Sequence, residues 1–152
     1  MDIKIKRIKA EETWPLRQKL LRPHQRIEEV IFSGDDEEHT LHLGAFVAEQ
    51  YVGIVTFLKR SFPGAEDSAH WQLRGMATEE LLRKKGVARE LLRSGLKYVR
   101  EKGGELIWCN ARLAASGFYE KAGFEKKSEV FEIEGIGPHF VMSLKVSVFR
   151  DQ

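Results

Sequence analysis

The chain has 152 residues, 42% of them hydrophobic and 32% charged, which is the balance of an ordinary globular protein long enough to build one self-sufficient core. A net charge of +2 gives no overall drive towards nucleic acid, and no stretch approaches the ~18 consecutive apolar residues of a membrane span. The single cysteine, Cys109, excludes an intramolecular disulfide and a cysteine-rich zinc site. It lies in the run Leu106-Ile107-Trp108-Cys109 and reads as a buried small hydrophobe rather than a reactive thiol. The opening MDIKIKRIK has no hydrophobic h-region. The expectation is a cytoplasmic protein with one domain over residues 1–152.

In chain order, Ile3 and Ile5 alternate with charged residues and predict a half-exposed strand over 2–8. Residues 11–22 read as a helix, with Trp14, Leu16, Leu20 and Leu21 near one stripe and Pro23 as its stop. His24 to Ile31 adds a short helix, and SGDDEEHT forms a polar, turn-rich loop. Strands over 41–48 and 52–58 follow, joined as a hairpin at Glu49-Gln50-Tyr51. Pro63-Gly64 marks a loop before a strand over 69–77. Val87, Leu91, Leu92, Gly95, Leu96 and Val99 recur at helical spacing, and Gly103-Gly104 closes that helix. A short buried strand over 106–111 leads to a second helix over 113–121, ending at Gly123. Two last strands, 124–133 and 140–148, flank the turn Gly135-Ile136-Gly137-Pro138. The order describes an α/β sheet in which one helix connects two parallel neighbours.

Two segments carry chemical information. Arg83-Lys84-Lys85-Gly86-Val87-Ala88 sits where a helix begins, and a helix N-terminus offers unpaired amides and partial positive charge to phosphate. Gly86 and Ala88 allow close approach to the main chain, and Lys84, Lys85 and Arg89 add charge. The GK[ST] ending of a Walker loop and the GxGxxG of a dinucleotide site are both absent. Alone, the six residues fit a solvated basic first turn equally well. With Arg93 the patch offers five charges, fewer than the ~6–10 phosphate contacts of non-specific nucleic-acid binding, and no aromatic platform adjoins it. The second segment is Ser116-Gly117-Phe118-Tyr119-Glu120-Lys121-Ala122-Gly123-Phe124. Its Tyr119 is either a core aromatic or a proton donor at a reacting centre. Five histidines without HxxxH or HExxH spacing give a metal site no support.

Together, in this order and at this separation, the two segments resemble the GNAT acetyltransferase superfamily. The run from Arg74 to Ala88 is similar to that family's central strand, turn and [Q/R]-x-x-G-x-[G/A] loop. Leu106 to Phe124 resembles its next strand and helix, ending in Y-E-K-x-G-F, so the likeness is strongest over about residues 71–126. Ala111-Arg112-Leu113-Ala114, FYEKAGF and Ile136-Gly137-Pro138-His139-Phe140-Val141-Met142 resemble a bacterial subgroup of mostly small proteins with no assigned acceptor.

The resemblance implies a single-domain α/β fold. Its mixed sheet has about six to seven strands flanked by helices and is splayed between the strands near 71–77 and 105–111. It also implies direct attack of a primary amine on acetyl-CoA in a ternary complex. Met76, Ala77 and Thr78 then contact the pantetheine arm through their main chain, with Gly75 marking a bulge. The Met76 N–H serves as an oxyanion donor. Arg83, Lys84, Lys85, Gly86, Val87, Ala88 and Arg89 hold the pyrophosphate, and Arg112 and Phe118 complete the cofactor-binding set. Arg112 stands where many members have asparagine. Tyr119 is the acid that protonates the leaving thiolate.

The general base is not readable. Asp35, Asp36, Glu37 and Glu38 form an acidic loop that attracts or deprotonates a cationic amine, or, the favoured reading, is simply solvated. His24 and His42 are weaker candidates, and His139 is as readily structural. Arg17, Arg22 and His24 hint at an anionic group on a small-molecule or peptide acceptor, although Arg22-Pro23 equally suits a helix C-terminus. The alternative to an enzyme is a silent acyl-CoA-binding sensor or partner domain. The family also suggests a homodimer through the last strands.

Overall fold

A computed structural model describes residues 1–149; the last three residues of the expected 1–152 domain lie outside the described residues. Strand β1 (Ile3–Arg7), helix α1 (Ala10–Leu16), strands β2 (Leu41–Val47), β3 (Gln50–Lys59) and β4 (His70–Thr78) and helix α2 (Val87–Glu101) come first. They are followed by β5 (Leu106–Arg112), α3 (Ser116–Ala122), β6 (Glu125–Lys126), β7 (Phe131–Ile133) and β8 (Gly137–Lys145). The strands form an open mixed sheet in the order β1-β2-β3-β4-β5-β8-β6, with β7 also paired to β8. The chain forms two compact units, Met1–Leu58 with Leu73–Tyr98, and Lys59–Gln72 with the segment from Val99 onward. Among the described residues no helix is long and apolar enough to cross a membrane.

In the first unit, β1 and β3 pair antiparallel with β2. The hairpin turn is Ala48-Glu49, between the paired Val47 and Gln50, and not 49–51 as the sequence suggests. Both turn residues have positive φ, +50° and +68°, the mirror-type turn that matches strand twist. Asn-Gly is the usual signal for it, and Ala-Glu hides it. The expected helix over 11–22 is also divided. Pro15 lies inside α1 and withholds one N–H from the ladder, and the coil then widens into a π-turn over Arg17–Leu21. Residues Ile27–Val30 form a 3-10 turn in place of the expected short helix.

Helix α2 shows the apolar stripe read from the sequence: Val87, Leu91, Leu92, Leu96 and Val99 are all buried. Gly95 lets α2 lie close on β3, since a Cβ there would stand 2.0 Å from the Phe57 ring. Overpacking of that kind outweighs the ~1 kcal/mol that glycine costs within a helix.

The centre of this unit holds a charge. Arg17 has no exposed surface. Its Nη1 donates to Val30 O at 2.8 Å and Asp35 Oδ2 at 2.7 Å, and its Nη2 donates to Asp35 Oδ1 at 3.0 Å and Thr56 Oγ1 at 2.9 Å. The Asp35 carboxylate also accepts the Phe32 N–H at 2.9 Å. Asp35 is therefore no part of a solvated acidic loop, whereas Asp36, Glu37 and Glu38 are exposed. His42 joins the same network, with Nε2 2.9 Å from Asp35 O and Nδ1 2.8 Å from Thr56 Oγ1. A carbonyl only accepts, so Nε2 carries the proton and Nδ1 accepts from the threonine hydroxyl.

In the second unit, His70–Gln72 of β4 pair parallel with Leu106–Trp108 of β5, the neighbours expected around α2. Strand β8 is antiparallel to β5 from Leu106↔Lys145 to Arg112↔His139. The expected strand over 124–133 splits into β6 and β7, both on β8, which brings the sheet to eight strands. Between them the Ser128 side chain replaces a main-chain acceptor, taking the Val141 N–H at 2.9 Å. The last strand begins at Gly137, earlier than the expected 140, and yields to a 3-10 turn at Val146–Val148.

Burial lowers the pKa of His42 from its ordinary value, only partly offset by its bond to the Asp35 carbonyl and by the Asp35 charge. The unfolded chain then binds a proton near pH 6.5 that the folded chain refuses, so this stability is present above pH 6.5 and lost below it. Urea midpoints are expected to fall between pH 7 and pH 5.5. In His42→Gln that slope should flatten; an unchanged slope would assign it to other groups.

Candidate active site

At the end of β4 the Glu79 N–H donates to Val52 O at 2.8 Å, and a 3-10 turn at Glu80–Leu82 follows. Lys84 and Gly86 then both adopt positive φ, +63° and +91°. For lysine this conformation carries strain, and the chain uses it to swing into α2. Arg83 to Gly86 are exposed, while Val87 is buried and pins the start of the helix. A Cβ placed on Gly86 would meet nothing within 4 Å, so the space before this turn is open. The first helical bond runs from the Glu90 N–H to Gly86 O, 3.0 Å, which leaves the amides of the first turn without a helical carbonyl.

The basic patch is partly engaged. Arg83 Nε donates to Thr78 O at 3.3 Å, and Arg93 pairs with Glu90 at 2.6 Å. Lys84, Lys85 and Arg89 are exposed and Ala88 is half-buried. The loop from Arg83 to Arg89 is thus a wide, cationic turn at the head of a 15-residue helix.

Upstream, Gly75 has φ +61°, the conformation of a glycine bulge, and it lies in the half-buried stretch Arg74-Gly75-Met76 between two buried runs of β4. Two constraints select glycine: the dihedral, and a Cβ that would lie 3.2 Å from the Phe32 ring and 3.4 Å from Arg17 Nε. Met76 is half-buried, and Ala77 and Thr78 are buried. The Thr78 Oγ1 has no hydrogen-bond partner among the described residues.

In the second unit Tyr119 is 6% exposed. Its ring meets Phe118 and Phe124 edge-on, each with centroids 5.2 Å apart. Burial, with a smaller contribution from Cys109, raises its pKa well above that of an ordinary phenol, so it remains a neutral hydrogen-bond donor. Burial likewise pushes the Cys109 thiol up to about 12. Arg112, at the end of β5, lines a cavity of about 350 Å³ with Leu113, Ala114, Ile136 and Pro138, and partial burial lowers its pKa. His139 is buried, its Nδ1 2.7 Å from Gly137 O and its ring against Phe131, which is a structural arrangement.

The sequence candidates therefore sort by geometry. Arg83 to Gly86 form one surface turn leading into α2, and Met76 to Thr78 form the end of one strand, half-buried at Met76 and buried at Ala77 and Thr78. Arg17 and Asp35 neutralise each other, and both His42 nitrogens are engaged. His24 is exposed. Sequence reasoning passes over Phe32 and Arg74; the one local signal is an aromatic standing before a polar loop.

Comparison with known proteins agrees with this architecture. A family model described as the acetyltransferase (GNAT) family matches residues 6–124. The chain is 36% identical over 140 residues to the uncharacterized N-acetyltransferase YitI of Bacillus subtilis, covering 92% of this chain and 94% of that protein. Among solved structures it is similar to Escherichia coli ElaA, with a TM-score of 0.75, 19% identity and coverage of 93% and 99% of the two chains. It is also similar to an aminoglycoside 6'-N-acetyltransferase complexed with coenzyme A, with a TM-score of 0.68, 16% identity and coverage of 98% and 99%. The fold, the family match over most of the chain and the identity to YitI lead to one conclusion: this chain belongs to the GNAT family of acetyltransferases.

Proposed function

We propose that this N-acetyltransferase moves an acetyl group from acetyl-CoA to the primary amine of a small molecule or peptide, in a ternary complex, with residues 1–152 acting as one catalytic domain. The observation that carries the cofactor reading is the Arg83–Gly86 turn. It combines left-handed Lys84 and Gly86, an open space at Gly86, first-turn amides and exposed Lys84, Lys85 and Arg89. Those are the donors and the room that a pyrophosphate needs. The coenzyme A bound by the aminoglycoside acetyltransferase supports the same assignment. So does Thr78, whose buried hydroxyl has no hydrogen-bond partner among the described residues and would be met by a polar ligand lying along the Met76-Ala77-Thr78 main chain. Phe118 and Arg112 complete the proposed cofactor contacts.

Acetyl-CoA supplies the acyl group as an activated thioester. The chain's own groups hold it and balance the charge that develops. The Met76 N–H donates to the carbonyl oxygen, where negative charge grows during amine attack. Tyr119 acts at the sulfur. A phenol near pKa 10 is already a weaker acid than a thiol near 8.5, and burial of Tyr119 widens that difference. Its part is then a positioned hydrogen bond to the leaving sulfur, the phenolic proton passing to the thiolate only as the proton released by the attacking amine replaces it, within the ~10²–10⁴-fold range of such acids. His42 and Asp35 are excluded as the base by their buried partners. A cytoplasmic location and a homodimer belong to the same proposal.

Calorimetric titration of acetyl-CoA tests the cofactor site. Wild type is expected to bind in the micromolar range, and Gly86→Glu, which sets a carboxylate in the phosphate cradle and strains φ, should bind at least tenfold more weakly. Absence of binding by the wild type would remove the reading. Tyr119→Phe keeps the ring and should lower turnover at least tenfold at nearly unchanged acetyl-CoA affinity; full turnover in that variant would take the tyrosine out of the mechanism.

A further inference from the structure

The oxyanion donor at Met76 is a main-chain N–H, so its aim is set by backbone geometry. The peptide plane that carries it begins at the Gly75 Cα, and the Gly75 dihedrals turn that plane. Gly75 has φ +61°. A glycine visits positive and negative φ about equally readily, so the residue does not hold this value by itself. Its surroundings have to keep the donor pointing one way.

Two side chains stand against Gly75. From the position a Cβ would take there, the Phe32 ring is 3.2 Å away and Arg17 Nε 3.4 Å. Both are held from other directions. Phe32 is 8% exposed, and its N–H donates to Asp35 Oδ2. The Arg17 guanidinium lies over the ring, with Cζ 3.9 Å from the centroid, while its hydrogen bonds reach Val30, Asp35 and Thr56. The Arg74 guanidinium lies 4.2 Å from the same centroid. The residue before Gly75 thus holds the ring that packs against Gly75, and cation–aromatic attraction favours both contacts. Phe32 is joined in this way to the buried ion pair on one hand and to β4 on the other.

We propose that Phe32 is a positioning residue for acetyl transfer. Packed against Gly75 and held by Arg17 and Arg74, its ring keeps the Gly75–Met76 peptide in the orientation that presents the Met76 N–H to the thioester carbonyl. This role rests on the N-acetyltransfer reading above, in which that N–H meets the developing oxyanion. A donor fixed before the reaction needs no reorganisation when the charge appears. A ring that only filled core volume could be replaced by another apolar side chain at a cost in stability alone. A ring that aims a donor could not, because small displacements of a supporting group spoil the geometry it supports.

The thioester carbonyl itself reports the bond. Full-length protein is saturated with acetyl-CoA carrying 13C at the acetyl carbonyl, and the carbonyl stretch is read by isotope-edited infrared difference spectroscopy. A hydrogen bond to the oxygen lowers that frequency, and the reference is labelled S-ethyl thioacetate in hexane, where no donor is present. Wild type is expected to show a band below the reference. Phe32→Leu should lose at least half of that lowering while its acetyl-CoA affinity, measured by calorimetry, stays within twofold of wild type. Phe32→Tyr keeps the ring and should keep the band. Gly75→Ala, the second variant should Phe32→Leu fail to fold, sets a Cβ against the ring and disfavours positive φ, and carries the same expected loss. A band as low as that of wild type in Phe32→Leu or Gly75→Ala would overturn the positioning role. A fall in acetyl-CoA affinity that accounts for the lost band would make the ring merely structural and overturn it too. A wild type that binds acetyl-CoA without lowering the band would strike the oxyanion role of Met76 and this inference with it. A wild type that binds none would strike the transfer reading instead.

Discussion

A fully buried guanidinium cannot be left to itself. Desolvating a charge costs several kcal/mol even after relaxation, and the first unit of this fold is arranged around meeting that demand. Arg17 receives two carboxylate oxygens, a carbonyl and a hydroxyl, and these acceptors come from two separate parts of the chain. Val30 and Asp35 belong to the long connection between α1 and β2, Thr56 belongs to β3, and His42 on β2 locks Thr56 and Asp35 from behind. A connection that would otherwise be a loose polar loop is thereby tied to two strands. Removing either ion-pair partner from such a site typically costs about 3–5 kcal/mol, a large part of what a domain of this size has to lose.

That tie decides what surrounds the bend in β4. Asp35 fixes the Phe32 main chain through its N–H, and the Phe32 ring then occupies the space beside Gly75. Gly75 is left with a positive φ and no room for a side chain. The same local device recurs at Lys84 and Gly86, where left-handed residues turn the chain into α2. The two backbone features proposed to hold the thioester and the phosphates are thus both made by dihedrals rather than by reactive side chains. Side-chain identity matters most where charge is to be matched, at the exposed Lys84 and Lys85.

Much of this was legible from the residues alone, for identifiable reasons. Helix α2 announces itself because its apolar stripe is long and regular, and the Gly86 loop and the Tyr119 segment carry a recognisable order and separation. The resemblance they support is the family the comparisons establish. The errors share one physical cause, which is tertiary context overriding local pattern. Ala48-Glu49 has no turn signature, yet strand register forces both residues left-handed. Asp35 stands in a run of acids that reads as solvated, and nothing local shows that one of the four is claimed by a distant arginine. The strand over 124–133 breaks because Ser128 offers its hydroxyl to the neighbouring strand. Phe32 and Arg74 are far apart in sequence and acquire meaning only when the fold stacks one on the other.

The lone cysteine has a consequence for the chemistry proposed around it. Thiols exchange acyl groups with thioesters through the thiolate, and any reachable thiolate near a thioester cosubstrate diverts the acyl group onto the protein itself. Cys109 lies close enough to Tyr119 for its charge to bear on the phenol, yet burial pushes its pKa to about 12. At neutral pH roughly one molecule in 10⁵ would carry the thiolate. The chain keeps a sulfur beside its proposed acid while burial closes that thiol's own route to self-acylation.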